Sequence, residues 1–283
     1  MRKATYKIEK YENLKEMLKK SGEKFGDRPA YKFKTEVPGE FRIITHKEFR
    51  DEINALGTAL ISMGLKDKRI AVISENRYEW GVAYLSVITG TGVVVPLDKA
   101  LPDNEIENLI IRSEVEAIFY SQKYTEIINE IKEKNNTNIK YFISMDLEKD
   151  TDGIYSQKEL INKGKNLLEY GNTEFLDAEI DNKTMASMLF TSGTTAMSKA
   201  VMLSHENICT NIFDIGSVIK VYKEDMFLSF LPLHHTLECT VGFLYPISKG
   251  GCIAFWRFHI HPGGDNPLFC FPEHPDSAVS EAD

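Results

Sequence analysis

Residues Arg69 to Leu97 read RIAVISENRYEWGVAYLSVITGTGVVVPL. Two short runs in it, Ile70 to Ile73 and Val93 to Leu97, are apolar at every position, and Tyr78 to Val87 between them has the length of a helix. A strand that is apolar on both faces must be covered on both faces, so the stretch reads as one strand–helix–strand unit of a parallel sheet. The same alternation continues with a helix over Asp103 to Arg112, a strand over Ala117 to Tyr120, a helix over Tyr124 to Glu133 and a strand over Tyr141 to Ser144. The spacing predicts an α/β fold with a doubly wound, mainly parallel sheet formed largely before Asp146 and a second sheet begun from Met185. The apolar window Gly81 to Leu97 is broken by Ser86, Thr89, Gly90, Thr91 and Gly92, so it is not read as a membrane span.

Upstream, Tyr11 to Phe25 carries Leu14, Met17, Leu18 and Phe25 among lysines and glutamates, a surface helix, and the turn Gly26-Asp27-Arg28-Pro29 follows. A hairpin-like pair, Ala30 to Lys34 and Glu40 to Ile44, flanks Pro38-Gly39. Thr45-His46-Lys47-Glu48 is a capping-box pattern, with Phe49, Ile53, Leu56, Leu60 and Met63 on one helical face and Gly64 placed to end the helix. After Asp146 an acidic, polar stretch leads to a second capping-box helix, from Ser156-Gln157-Lys158-Glu159 to about Glu169.

Met185 to Phe190 and Ala200 to Leu203 read as strands, and Ser204-His205-Glu206-Asn207 starts a helix reaching about Ile219. Between the strands stand Thr191, Ser192, Gly193, Thr194, Thr195 and Ser198, closed by Lys199. Short hydroxyl donors, accessible backbone N–H groups and one point charge suit phosphate oxygens; a solvated Ser/Thr turn is the plain alternative. The loop is not a Walker loop, which runs from strand into helix as GxxxxGK[ST], and the chain has no GxGxxG dinucleotide fingerprint.

The bulk numbers set bounds. The chain has 283 residues, 42% hydrophobic and 27% charged, and a formal net charge of -8. That balance fits a globular protein and argues against a nucleic-acid or anionic-membrane surface. Cys209, Cys239, Cys252 and Cys270 are scattered without a CxxC pair, which fits reduced thiols and a cytoplasmic protein, and the first residues lack the apolar core of a secretory signal. The oligomeric state is not readable.

Phe190 to His205, FTSGTTAMSKAVMLSH, resembles the phosphate loop [YF]TSG[ST]TGxPKGV…LSH of the AMP-forming acyl-CoA synthetases in the adenylate-forming superfamily. Leu231 to Glu238, LPLHHTLE, is similar to that family's LPLxHxxE segment. Ser74 to Trp80 (SENRYEW) with Val93 to Ile106 (VVVPLDKALPDNEI) looks most like the long-chain fatty acid branch. The resemblance implies a partial adenylation domain over 1–255. It implies fatty acid and ATP as substrates, with Mg²⁺ and CoA as further requirements. Thr191, Ser192, Gly193, Thr194 and Thr195 would wrap the β- and γ-phosphates with Lys199 as counter-charge, and His235 would sit at the boundary between nucleotide and acyl group. His205 is expected to support the helix start, whereas His234 and Glu238 fit equally a place in the site or packing behind it.

The departures from the family pattern are specific. Ala196, Ser198 and Ala200 stand where the family has Gly, Pro and Gly, and alanine in a left-handed conformation would cost about 1–2 kcal/mol. Tyr170-Gly171-Asn172-Thr173-Glu174 spells the family's adenine-stacking YGxTE but precedes the phosphate loop instead of following it, so it reads as a helix end with Gly171 as cap. The family's true YGxTE, its TGD motif and its catalytic lysine domain are not found downstream. Residues 256–283 contain no lysine and no sustained period, and read as an unrelated disordered tail; His259, His261, Cys270 and His274 match no standard zinc spacing. The sequence therefore reads as a truncated synthetase with little or no turnover of its own. The alternative is a non-catalytic nucleotide- or acyl-binding module, or one dependent on a partner.

Overall fold

The structure, a computed structural model, describes residues 8–35, 37, 40–191 and 198–255. Helix α1 (Leu14–Phe25) starts at Asn13, whose Oδ1 accepts the Glu16 N–H at 2.9 Å. Strands β1 (Pro29–Lys34) and β2 (Phe41–Thr45) pair antiparallel. Helix α2 (His46–Ser62) begins with the full capping box: Glu48 N–H donates to Thr45 Oγ1 at 3.1 Å and Thr45 N–H donates to Glu48 Oε2 at 2.7 Å. Thr45→Ala is expected to cost about 1 kcal/mol, read as a lower urea midpoint at unchanged slope. An unchanged midpoint would show that the box adds nothing.

The strand–helix alternation then runs β3 (Lys68–Ile73), α3 (Tyr78–Ser86), β4 (Gly92–Pro96), α4 (Asp103–Ser113), β5 (Ala117–Tyr120), α5 (Thr125–Lys134) and β6 (Tyr141–Ser144). A π-helical turn, Val87–Thr91, joins α3 to β4. The polar stretch after Asp146 holds a short strand, β7 (Ile154–Ser156), which leads into α6 (Gln157–Glu169) and the single turn α7 (Glu174–Asp177). Ser156 caps α6 by accepting the Glu159 N–H at 3.3 Å. The expected reciprocal bond is absent because Glu159 Oε2 instead accepts Asp150 N–H at 2.7 Å, holding the loop before β7.

Strand β8 (Met185–Thr191) enters the same sheet beside β4, with Val94 opposite Ser187, and β9 (Lys199–Ser204) turns back antiparallel at the edge. The seven strands lie in the order β7-β6-β5-β3-β4-β8-β9, parallel except for β9. Alternate residues of β3 explain why its run is apolar throughout. Ile70 and Val72 join one core with α2 and α3, whereas Ala71 and Ile73 join another with α4 and α5.

The second sheet does not begin at Met185. Helix α8 (His205–Val218) follows β9, and then β10 (Met226–Ser229), α9 (Tyr245–Lys249) and β11 (Cys252–Phe255) complete the described chain. The second sheet has the order β10-β11-β1-β2, with Tyr31 of β1 opposite Ile253 of β11. Two buried positions in a row, Ala186 and Ser187, suit β8 to an interior place in the first sheet, while the pairing that builds the second is long-range and leaves no local pattern. Among the described residues no helix is long and apolar enough to cross a membrane.

The YGxTE look-alike is a helix end. Gly171 N–H donates to Leu168 O at 3.0 Å and Asn172 N–H to Leu167 O at 2.9 Å, the paired bonds of a Schellman motif with Gly171 at φ 87. Tyr170 is 90% exposed and Glu174 pairs with Lys66 at 3.0 Å, so neither is turned to a shared site.

Candidate active site

The carboxyl ends of the parallel strands share one edge of the seven-stranded sheet, the edge at which open α/β sheets bind ligands. From β3 the chain passes to Asn76, from β4 to Asp98 and Lys99, and from β8 to Thr191. Thr191 and Lys199 face one another in the β8–β9 register and both are exposed. Ser192, Gly193, Thr194, Thr195 and Ala196, which complete the hydroxyl loop, lie outside the described residues.

The loop's returning stem is tied to α4. Ser198 Oγ donates to Glu105 Oε1 at 3.2 Å, Arg112 Nη2 donates to Ser198 O at 2.8 Å, and the Arg112 guanidinium lies 5.6 Å from the Phe190 ring centre. Ser198 thus puts a side-chain anchor where the family pattern has a proline. Ala200 lies in extended β9 opposite Phe190 and has no positive φ, so its replacement of a glycine carries no left-handed cost.

The LPLHHTLE segment reaches the same edge from β10. His234 is mostly buried, and its Nε2 lies 3.2 Å from Asp98 Oδ1. Burial holds its imidazole below the ordinary pKa, against the pull of the Asp98 carboxylate. His235 is exposed; its Nδ1 accepts the Leu237 N–H at 3.3 Å. A ring nitrogen that accepts is unprotonated, so the neutral ring carries its hydrogen on Nε2 and offers a donor to solvent.

Glu238 is only 5% exposed, with Oε1 lacking a hydrogen-bond partner; burial raises its carboxyl pKa, while the Ser229 hydroxyl pulls it down. Behind His234 a cavity of about 20 Å³ is lined by Tyr84, Ser187, Ile208, Thr236 and Cys239, and the Ser187 hydroxyl, beside Tyr84, makes no well-formed hydrogen bond. That volume suits one water and does not hold an alkyl chain.

His205 is structural, as its place at the start of α8 suggested. Its Nδ1 accepts Leu14 N–H at 3.2 Å, its other side meets the Ile88 carbonyl, and burial pushes its pKa down to about 4. The cysteines Cys209, Cys239 and Cys252 are free and buried. Residues of the proposed tail lie outside the described residues from 256 onward. Among the described residues no three His, Cys, Asp or Glu side chains converge in a way that could hold a metal ion.

Sequence reasoning overlooked Asn76 and Asp98. Both stand inside motifs quoted above, but a lone amide and a lone carboxylate in loops carry no period or spacing that marks them.

A sequence model described as AMP-binding enzyme matches residues 18–264, from within α1 to beyond β11. Long chain acyl-CoA synthetase 4 of Arabidopsis thaliana is 27% identical over 268 residues, covering 88% of this chain and 39% of the relative. Fatty acyl-CoA synthetase A of Dictyostelium discoideum is 30% identical over 227 residues, covering 77% of this chain and 33% of the relative. The chain thus spans between a third and two-fifths of the length of these curated relatives. A solved structure of a long-chain-fatty-acid CoA ligase from Archaeoglobus fulgidus shares the fold, with a TM-score of 0.74 at 18% identity over 90% of this chain and 48% of that one. The family match takes in both sheets and every strand end at the shared edge, and with it the chain belongs to the AMP-binding enzyme family, where it resembles the long-chain acyl-CoA synthetases.

Proposed function

We propose that this chain supplies the phosphate grip and the carboxylate-facing histidine of a ligase that activates a fatty acid with ATP. What supports the reading is the exposed Thr191–Lys199 pair at the end of β8, together with the exposed His235, whose neighbour His234 reaches Asp98 at the end of β4 on the same sheet edge. In the reaction a carboxylate oxygen bonds to the α-phosphorus of ATP as the bond to the bridging oxygen breaks and pyrophosphate leaves. CoA thiolate then bonds to the acyl carbon, and AMP leaves with the former carboxylate oxygen.

Hydroxyls and N–H groups after β8 would hold the β- and γ-phosphates, and Lys199 would offset their charge. Mg²⁺ would arrive on those phosphates. His235 Nε2–H would donate to an oxygen at the junction of acyl group and phosphate, so its role is orientation and charge stabilisation in preference to proton abstraction. Buried free thiols suit a reducing, cytoplasmic setting.

Titration calorimetry with ATP and Mg²⁺ tests the reading. The unaltered chain is expected to bind, and Lys199→Ala to weaken binding by roughly 10- to 100-fold, the worth of one hydrogen bond to a charged group. Absence of binding by the unaltered chain rejects the proposal. Fatty-acid-dependent ATP–pyrophosphate exchange, run on the same samples, separates turnover from binding alone.

A further inference from the structure

Asn76 ends the loop that leaves β3, and its side chain is fully engaged. Nδ2 donates to Ser229 Oγ at 3.0 Å and to Leu231 O at 2.6 Å, while Oδ1 accepts from Leu233 N at 3.2 Å and from Lys99 Nζ at 3.4 Å. Leu231 O can only accept and Leu233 N can only donate, so the amide's orientation is fixed by its partners. These two backbone groups flank Pro232, whose nitrogen has no hydrogen to offer a ladder. The carboxamide pairs with the backbone on both sides of the proline, as a neighbouring strand would.

What Asn76 holds leads straight to the histidines. His235 N–H donates to Pro232 O at 2.9 Å, closing the turn that begins at the clamped proline, and His235 Nδ1 then accepts Leu237 N–H at 3.3 Å. His234, next to the clamped Leu233, is pinned on its other side by Asp98. Asn76 therefore bridges the seven-stranded sheet, which it leaves, and the four-stranded sheet, whose strand β10 ends at Ser229.

We propose that Asn76 is a positioning residue that sets the orientation and tautomer of His235 by clamping the backbone on both sides of Pro232. The use of that orientation toward an acyl phosphate rests on the function proposed above. Asparagine is suited to the task because it presents one donor edge and one acceptor edge in a plane at this reach. Aspartate, its isostere, would turn a carboxylate oxygen toward Leu231 O, and leucine would satisfy neither group.

The test is two-bond ¹H–¹⁵N correlation spectroscopy of the histidine rings in the full chain at pH 8, with His235 assigned from its loss in His235→Gln. The unaltered chain is expected to show His235 with its hydrogen on Nε2. Asn76→Asp is expected to show an averaged pair of tautomers, whereas Ser229→Ala, which removes one of Asn76's partners but leaves the Pro232 clamp, keeps the signature. A folded Asn76→Asp with the His235 signature intact overturns the proposal, since a merely structural asparagine would lower the melting point without moving the tautomer. Should Asn76→Asp not fold, the unaltered chain decides. Slowed exchange of the Asn76 Nδ2 hydrogens with nuclear Overhauser contacts to Leu231 and Leu233 supports the clamp, and fast exchange without those contacts overturns it.

These readings need no ligand, so they stand apart from the success or failure of the ATP titration. A further arm uses dodecanoyl-sulfamoyl adenosine, a stable acyl-adenylate mimic. Asn76→Asp is expected to weaken its binding about tenfold while leaving ATP affinity unchanged, because ATP is gripped by Thr191 and Lys199. Equal losses for both ligands would overturn the specific link to His235.

Discussion

Lowering the pH from 7 to 4 is expected to remove up to roughly 6 kcal/mol of folding stability through two histidines that are buried in their neutral form. His46 and His205 are 2% and 3% exposed, and burial pushes both from 6.5 down to about 4. His46 stands at the start of α2, with Nδ1 at 3.2 Å from Ser21 Oγ and Nε2 against the backbone of Gly250 and Gly251 without a well-formed hydrogen bond.

The sign follows from proton counts. Above pH 6.5 both rings are neutral whether folded or unfolded, and the full stability is present. As pH falls through 6.5 the unfolded chain takes up protons that the folded chain refuses, so stability declines until about pH 4, where the folded rings also protonate. Each shift is worth roughly 3 kcal/mol, and together they approach the whole stability of an ordinary domain, about 5–15 kcal/mol.

Glu52 and Glu238 act in the opposite sense. Burial raises both, so the folded state gains protons there as pH drops below their raised values. They offset part of the loss. Urea unfolding at a series of pH values should show the decline, and His46→Gln should remove about half of it. A flat profile from pH 7 to 4 would show that neither histidine is held neutral by the fold.

The same two histidines mark the limit of what the sequence shows. His205 follows Ser204, and the pattern places it at a helix start, but its partner Leu14 lies 191 residues away and leaves no trace in local spacing. The first sheet was legible because each strand carries its own signature, an apolar run bounded by helices of regular period. The second was not, because β1 and β11 come from opposite ends of the described chain and only their meeting makes them a sheet.

Capping divides in the same way. Thr45 and Glu48 bond as the four-residue pattern dictates, whereas Glu159 is drawn off by Asp150, a competitor the pattern does not contain. At the candidate site the stretch of hydroxyls and Lys199 was visible by composition. The meaning of Ala200 was not, since whether an alanine may replace a glycine depends on φ, and β9 gives it an ordinary one. Asn76 illustrates the general difficulty: its importance lies in four partners brought in by two separate segments, and none is encoded within its own loop.

Gly164→Ala is expected to cost about 3 kcal/mol or more, although alanine favours a helix over glycine by about 1 kcal/mol. Gly164 lies inside α6 where that helix crosses α2, and a Cβ there would sit 1.7 Å from the backbone oxygen of Ala55. The obstacle is a carbonyl within the α2 ladder, so no rotamer change relieves it and the helices must part by about 1 Å or more. Gly64, just beyond α2, provides the contrast. It has φ +80 with nothing within 4 Å of the added carbon, so Gly64→Ala meets only the left-handed backbone cost of about 1–2 kcal/mol. Urea unfolding of the two variants should therefore rank Gly164→Ala well below Gly64→Ala, and equal losses would mean that the α2–α6 contact yields without strain. Both glycines lie away from the strand ends that carry Asn76, Asp98, Thr191 and Lys199. On the function proposed above, either variant that remains folded is expected to bind ATP as the unaltered chain does, which separates damage to the scaffold from damage to the proposed phosphate site.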